Sequence, residues 1–262
     1  MRFSSLNLTT KDLEEIFRNK YGYDPSRMGW GPRTRSRFGY FSPDDYYEAT
    51  VSRLVTAGCA WLDVGSGRNV FPSNRRLAQS LAKRCRLLVG LDPDRTIDEN
   101  DLVHERVRMS IEHYRPELTF DVVTLRMVAE HMTDPDGVVA ALARLTKPGG
   151  QVIVYTINRW SPVPIVTCLV PFRFHHLPKR LLWNSTEKDT FPVAYRMNTR
   201  RELGEVFGKH GFQESEFGYV DDCRTFAAFR VMLILELCLW RSLRFLGLRY
   251  PENCLLSVYR RV

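Results

Sequence analysis

The stretch Trp61-Leu62-Asp63-Val64-Gly65-Ser66-Gly67 reads as a buried strand that runs straight into a glycine turn with an acid near its end. Gly65 and Gly67 have no β-carbon, so the chain there can turn sharply and a ligand can approach the backbone closely. A second acid, Asp92, followed by Pro93, closes the next apolar run, Leu87 to Leu91. An ionised carboxylate accepts from both hydroxyls of a ribose, so a glycine turn and an acid at neighbouring strand tips suit a nucleoside across the sheet edge. A dinucleotide site would require Gly-x-Gly-x-x-Gly, its last glycine packing a helix close and its helix N-terminus facing a pyrophosphate. Here Val70 stands at the last position, and Asp63 puts a negative charge two residues before the first glycine. Both departures disfavour a pyrophosphate and favour a ligand with a cationic, phosphate-free tail.

With Asp63, Gly65 and Gly67 in place, the chain resembles the class I S-adenosylmethionine-dependent methyltransferases, whose first motif is an acid, any residue, then Gly-x-Gly. The resemblance continues through Phe120 to Thr124, Arg126 to His131, and Lys147-Pro148-Gly149-Gly150, and covers residues 58 to 158. It is nearest to the small-molecule branch that includes quinone-ring methyltransferases. It implies that Asp63, Gly65, Ser66 and Gly67 hold the methionine end of S-adenosyl-L-methionine. Asp92 and Pro93 would meet the ribose, Ser110 and Ile111 the adenine edge, while Arg126 and Met127 would line the cavity at the end of the fourth strand. Two positions depart from the pattern: Asn69 stands where a small residue is common, and Ser110 where an aspartate is common.

The implied reaction is in-line methyl transfer to a small-molecule acceptor, leaving S-adenosyl-L-homocysteine. A sulfonium is already activated, so the protein chiefly aligns donor and acceptor and excludes water. Where the acceptor must lose a proton, His131 is the best-placed base, because it follows the fourth strand and titrates near neutrality; its alternative role is to cap the helix starting near Asp134. His113, His175 and His176 are weaker candidates. Arg126 would pair with the methionine carboxylate or an acidic substrate, or else with a cap acid such as Glu187 or Asp189. Trp30, Tyr40, Asn158, Trp160, Tyr195 and Arg196 are the expected acceptor-pocket residues, suited to a flat, lipid-like or anionic molecule, although ordinary packing explains each equally well. No metal site is expected, since no two histidines share helical spacing with an acid.

The elements that would position these residues follow from periodicity. Helices are expected over residues 9–20 and from Pro43 to Thr56, with an irregular Gly/Pro/Arg-rich stretch from Tyr21 to Tyr40 between them. Strands and helices alternate from Cys59 to Thr156, including helices near Asn74 to Arg84 and from Pro135 to Leu145, which requires parallel strands joined by right-handed crossovers. Thr199 to His210 resumes as a helix, Phe212 to Val220 as a strand, and Leu255 to Tyr259 as a last antiparallel strand. The expected fold is α/β: a doubly wound, Rossmann-like seven-stranded sheet with an N-terminal helical lid (1–57) and a core (58–262). The core carries two additions: a cap at about 158–198, holding five prolines, and an apolar helix at about 224–247.

With 262 residues, 44% apolar and 26% charged, the chain has enough length for one sheet-centred core. Six scattered cysteines without CxxC spacing read as buried reduced thiols in a cytoplasmic protein. The polar N-terminus lacks an export signal, and Phe226 to Trp240, interrupted by Arg230 and Glu236, is too short to span a bilayer. A net charge of +8 invites an anionic partner, but no nucleic-acid module is present; Arg27, Arg33, Arg35 and Arg37, interleaved with Trp30, Phe38 and Tyr40, form either a stacking lid or a solvated connector. The helix near 224–247 is apolar nearly all round, which suits burial in the core, a homodimer contact, or a peripheral membrane or lipid-substrate role. Two other functions stay open: a non-catalytic adenosyl-ligand-binding or scaffold protein, and an NAD-dependent oxidoreductase, which Val70 and Asp63 disfavour.

Overall fold

The alternation of apolar runs and amphipathic segments builds a seven-stranded sheet, described by a computed structural model over residues 5–169 and 193–262. Its strands are β1 (Ala60–Val64), β2 (Leu87–Leu91), β3 (Glu105–Val107), β4 (Phe120–Arg126), β5 (Thr146–Ile157), β6 (Phe212–Asp221) and β7 (Asn253–Arg261). The order is β3-β2-β1-β4-β5-β7-β6, with β7 antiparallel to both neighbours and the β3 to β5 region parallel. The order reverses between β1 and β4, and such a switch point opens a crevice at the carboxyl ends of the two strands.

The helices are α1 (Thr10–Tyr21), α2 (Trp30–Phe38), α3 (Pro43–Leu54), α4 (Arg75–Arg84), α5 (Pro135–Leu145), α6 (Pro162–Leu169), α7 (Arg200–Lys209) and α8 (Arg230–Phe245). Their starts are set by side chains that satisfy the first free amides. Thr9 with Asp12 and Ser42 with Asp45 form capping boxes, while Asn74, Asp134 and Thr199 each accept from an amide in the first turn. The segment read as an irregular connector from Tyr21 to Tyr40 contains α2, a helix hidden from periodicity by its arginines and by Pro32 in its first turn.

Two cores flank the sheet. One gathers Trp61, Val122, Ile153 and Tyr155 with Leu13, Ile16, Tyr47 and Val51, so α1 and α3 share the central core. The other holds Leu62, Val123 and Val154 against α5 and α7. A third, smaller cluster joins Tyr40 and Cys223 to Leu233, Leu237 and Trp240 beneath α8. Of the expected cap, residues 170–192, with His175, His176, Glu187 and Asp189, lie outside the described residues. The apolar helix begins at Arg230 rather than Arg224, after a turn, and its insertion is closed at the neck where Asp222 N–H donates to Glu252 C=O at 2.9 Å.

α1 is tied to α3 by one buried ammonium. Lys20 Nζ lies 2.8 Å from Asp45 and 2.9 Å from Glu48, and Glu48 also accepts from Asn74 Nδ2 at 2.7 Å, which carries the link to the start of α4. Removing the cation leaves buried Glu48 without an ion pair among the described residues and Asp45 with Arg35 alone, 3.8 Å away. Lys20→Met is therefore expected to lower stability by roughly 3–5 kcal/mol, read as the urea midpoint; an unchanged midpoint would refute this cluster as the tie between the helices.

Candidate functional site

Asp63 stands on β1 opposite Thr124 of β4, at the switch point. The Thr124 hydroxyl accepts from Trp61 Nε1 at 2.8 Å and donates to Asp63 Oδ1 at 2.6 Å, so a relay across the strands aims the carboxylate. The side chain is buried, and burial pushes its pKa up to about 6 against the opposing pull of the Thr124 and Ser66 hydroxyls and the Arg126 charge. This buried acid has no ion pair among the described residues and would ionise fully when a cation binds beside it.

The glycine turn is pinned from below. Gly65 N–H donates to Leu91 C=O at 2.8 Å, Gly67 N–H donates to Asp92 Oδ2 at 2.9 Å, and Asn100 Nδ2 donates to both Ser66 Oγ and Gly67 C=O at 3.1 Å. Gly65 has φ +71°, and a β-carbon there would fall 2.2 Å from Val128 Cγ2, so glycine is required at this position. Asp92 also accepts from Asp94 N–H at 2.8 Å, and burial raises its pKa despite those two amides. Each carboxylate oxygen keeps a lone pair for a further donor. Met109 N–H donates to Asp92 C=O at 3.2 Å, which brings the next segment alongside: Ser110 is half-buried and meets His113 Nδ1 at 2.8 Å, while Ile111 is buried in the core. Pro93 is exposed at the rim.

On the facing strand end, Met127 adopts φ +53° and Tyr195 φ +49°, conformations that cost a non-glycine residue about 1–3 kcal/mol and persist only where surroundings enforce them. Met127 N–H donates to Tyr155 C=O at 2.8 Å, while Tyr195 lies beside Glu130. Its carbonyl accepts from the Ala194 and Tyr195 amides at 2.7 and 3.1 Å, and its buried carboxylate accepts from Thr156 Oγ1 at 2.7 Å. Asn198 Nδ2 donates to the same threonine at 2.8 Å. His131 ends the short turn Ala129–His131, half-buried next to this network. The cap of α5 is Asp134, which accepts from Gly137 N–H at 3.1 Å, so the capping role considered for His131 is taken.

Arg126 is paired with Asp44 of α3 at 2.8 Å and faces the Tyr155 ring. Burial pushes the Asp44 carboxyl up, but Arg224 and Arg126 on either side outweigh it and hold it well below the carboxylate range. The same acid pairs with Arg224, whose guanidinium also grips Asp222.

Several expected acceptor contacts have structural duties instead. Tyr40 is 1% exposed; its hydroxyl donates to Asp221 C=O at 3.0 Å and accepts from Cys223 N–H at 2.8 Å, which anchors the α8 insertion. Asn158 is buried, donating to Asn253 Oδ1 at 2.8 Å and accepting from Trp160 N–H. Trp30 packs on the cluster beneath α8 under Arg230. Trp160 is exposed with Arg159 over its ring, Arg196 donates to Thr133 C=O at 2.7 Å, and Tyr195 lies at the Glu130 hinge. Only Tyr195 and Arg196 thus fall near His131. Asn100 escapes sequence reasoning because it acts through partners distant in the chain, and Glu130 enters it only as part of the Arg126 to His131 motif.

A family model for the methyltransferase domain matches residues 11–214. The chain is 37% identical over 159 residues to the ubiquinone biosynthesis O-methyltransferase of Klebsiella pneumoniae (strain 342), a match covering 56% of this chain and 55% of that protein. It is 30% identical over 169 residues to the protein of the same name from Paracidovorax citrulli (strain AAC00-1), covering 60% of each. The chain therefore spans between half and two thirds of these relatives. Among solved structures, the cyclopropane synthase MmaA2 from Mycobacterium tuberculosis superposes with a TM-score of 0.51 at 15% identity, covering 98% of this chain and 100% of that one. The magnesium protoporphyrin IX methyltransferase (ChlM) from Synechocystis PCC 6803 gives 0.50 at 12% identity, covering 95% and 94%. These two share the fold.

Because burial lifts Asp63 above its ordinary value, the folded state prefers the protonated acid. That preference stabilises fully below about pH 4 and is lost as the pH rises through about 6. Asp63→Asn is expected to raise stability by roughly 2 kcal/mol at pH 7.5 and to leave it unchanged near pH 4. Thermal melts at the two pH values test this; a variant less stable at pH 7.5 would contradict it.

Proposed function

The chain belongs to the methyltransferase-domain family, and on that premise we propose that it transfers the methyl group of S-adenosyl-L-methionine to a small-molecule acceptor. The observation that carries this reading is the set of groups at the β1/β4 switch point: a buried acid with no ion pair among the described residues, a glycine turn closed to any side chain, and an acid with spare acceptor capacity just after β2. These residues fit the cofactor. Asp63 and the Gly65 to Gly67 backbone suit its ammonium end, Asp92 its ribose hydroxyls, and the Ser110–Ile111 segment its adenine edge. When bound, the cofactor supplies a methyl carbon already activated on a cationic sulfur.

The protein's share is placement and dryness. Val128 lies against Gly65, Met127 is held in its left-handed conformation at the end of β4, and the Asp44–Arg126 pair joins α3 to the same strand end. The small-molecule reading is supported by the named relatives, which match over little more than half their length. His131, which follows Glu130 on the short turn after β4, is the group we assign to take a proton from the acceptor. Buried free thiols at Cys59, Cys85, Cys223 and Cys254 fit a reducing compartment such as the cytoplasm.

Titration of the purified protein with S-adenosyl-L-methionine, S-adenosyl-L-homocysteine and NADH tests the reading, and failure to bind either adenosyl ligand would overturn it. Asp92→Asn is expected to weaken adenosyl-ligand affinity roughly 10- to 100-fold, since an amide forfeits a charge-assisted acceptor, and to lower the melting temperature modestly, because one of the Gly67 and Asp94 amides loses its acceptor. His131→Ala should lower kcat without altering cofactor affinity. Incubation with cell extract and methyl-labelled cofactor should yield a labelled metabolite; binding without any labelled product would favour a non-catalytic adenosyl-binding protein.

A further inference from the structure

α8 carries two apolar faces. Leu233, Leu237 and Trp240 point inward to the cluster they share with Tyr40 and Tyr250. On the opposite side, Val231 (69% exposed), Leu235 (57%), Leu239 (52%) and Phe245 (90%) lie open, and Ile234 and Leu246 widen the strip. At about 100° per residue these positions fall on one continuous arc facing away from the buried one. An exposed apolar strip of this extent on a monomer marks an interaction surface.

Charge decides what meets it. Arg230 and Arg241 fall together along one border of the strip, Arg244 lies on the inward side over Trp240, and Arg249 follows the helix. None of the four makes an ion pair among the described residues. Arg230, Arg244 and Arg249 instead stack on Trp30, Trp240 and Tyr219. The acids nearby turn inward: Glu236 accepts from the Tyr250 hydroxyl and Asp221 from Trp240 Nε1. A second copy packed antiparallel through this strip would set arginine border against arginine border. An anionic bilayer surface complements both features, taking the apolar strip among its acyl chains and the arginines among its headgroups.

We propose that the outer face of α8 docks this protein in the plane of a membrane rich in anionic lipid. No helix of the described residues is long and apolar enough to cross a membrane, so the attachment is peripheral. The insertion leaves β6 and re-enters at β7 on the sheet edge that carries Asp63 and the glycine turn. α6, with exposed Ile165 and Val166, is fastened to the same place through Val163 N–H donating to Glu252 at 2.9 Å. Docking through α8 therefore turns the ligand-binding edge of the sheet toward the lipid.

Co-sedimentation of the full chain with vesicles tests this without reference to any cofactor or methyl transfer. Vesicles of phosphatidylcholine containing phosphatidylglycerol should sediment the protein, vesicles of phosphatidylcholine alone should not, and added salt should weaken the attachment. The double variant Leu235→Glu, Leu239→Glu changes only exposed positions; it should keep the parent melting temperature and lose vesicle binding. Arg241→Glu should weaken binding about ten-fold. Absence of binding to the anionic vesicles, or full binding by the double variant, would overturn the proposal. So would sedimentation as a dimer that the double variant dissociates, with no vesicle binding by either form.

Discussion

A carboxylate buried at the reversal point of a parallel sheet is the constraint around which this protein is arranged. Asp63 cannot be left bare in an apolar core, and the sheet answers with Thr124 on the neighbouring strand and Ser66 on the turn that follows. Trp61 completes the relay, so two adjacent inward-facing positions of β1 are locked to one hydroxyl of β4. The register of β1 against β4 and the aim of the acid are thus the same fact. A slip of one residue would send Asp63 to the other face and remove both its partners.

The glycine turn and the N-terminal helices extend that constraint outward. Asn100 and Asp92 hold the turn from the β2 side, while Asp44 reaches in from α3 to hold Arg126 at the end of β4. By also pairing with Arg224, Asp44 ties the strand that faces the glycine turn to the root of the α8 insertion. One acid thereby fixes three parts of the chain that meet only in space. The cofactor end and the outer helix share a rigid joint instead of being separate additions.

Much of this was legible in the sequence because local rules and global fold agree. The strand-to-glycine turn, Asp92, the helices over residues 9–20, from Pro43 and from Thr199, and the final antiparallel strand all announce themselves within a few residues. What stayed hidden depends on distance. Nothing near Arg126 indicates Asp44, 82 residues earlier, and nothing near Tyr40 indicates that its hydroxyl serves the backbone at Asp221 and Cys223. α2 was obscured because its arginines erase the apolar stripe that would betray a helix. An aromatic composition pointed to an acceptor pocket, whereas Trp30 and Tyr40 form the bed on which α8 rests.

The narrow neck of the β6–β7 insertion has a broader meaning. Asp222 and Glu252 are 30 positions apart in the chain yet joined by a single amide-to-carbonyl bond, and the two strands they bound remain paired through Asp221 and Asn253. Provided Arg224 stays at its root to hold Asp44, whatever else occupies the interval leaves the sheet's strand order and its ligand crevice untouched. Such a segment can be exchanged, shortened or elaborated over evolutionary time as a cassette, letting a lineage change where its enzyme works while inheriting its chemistry intact.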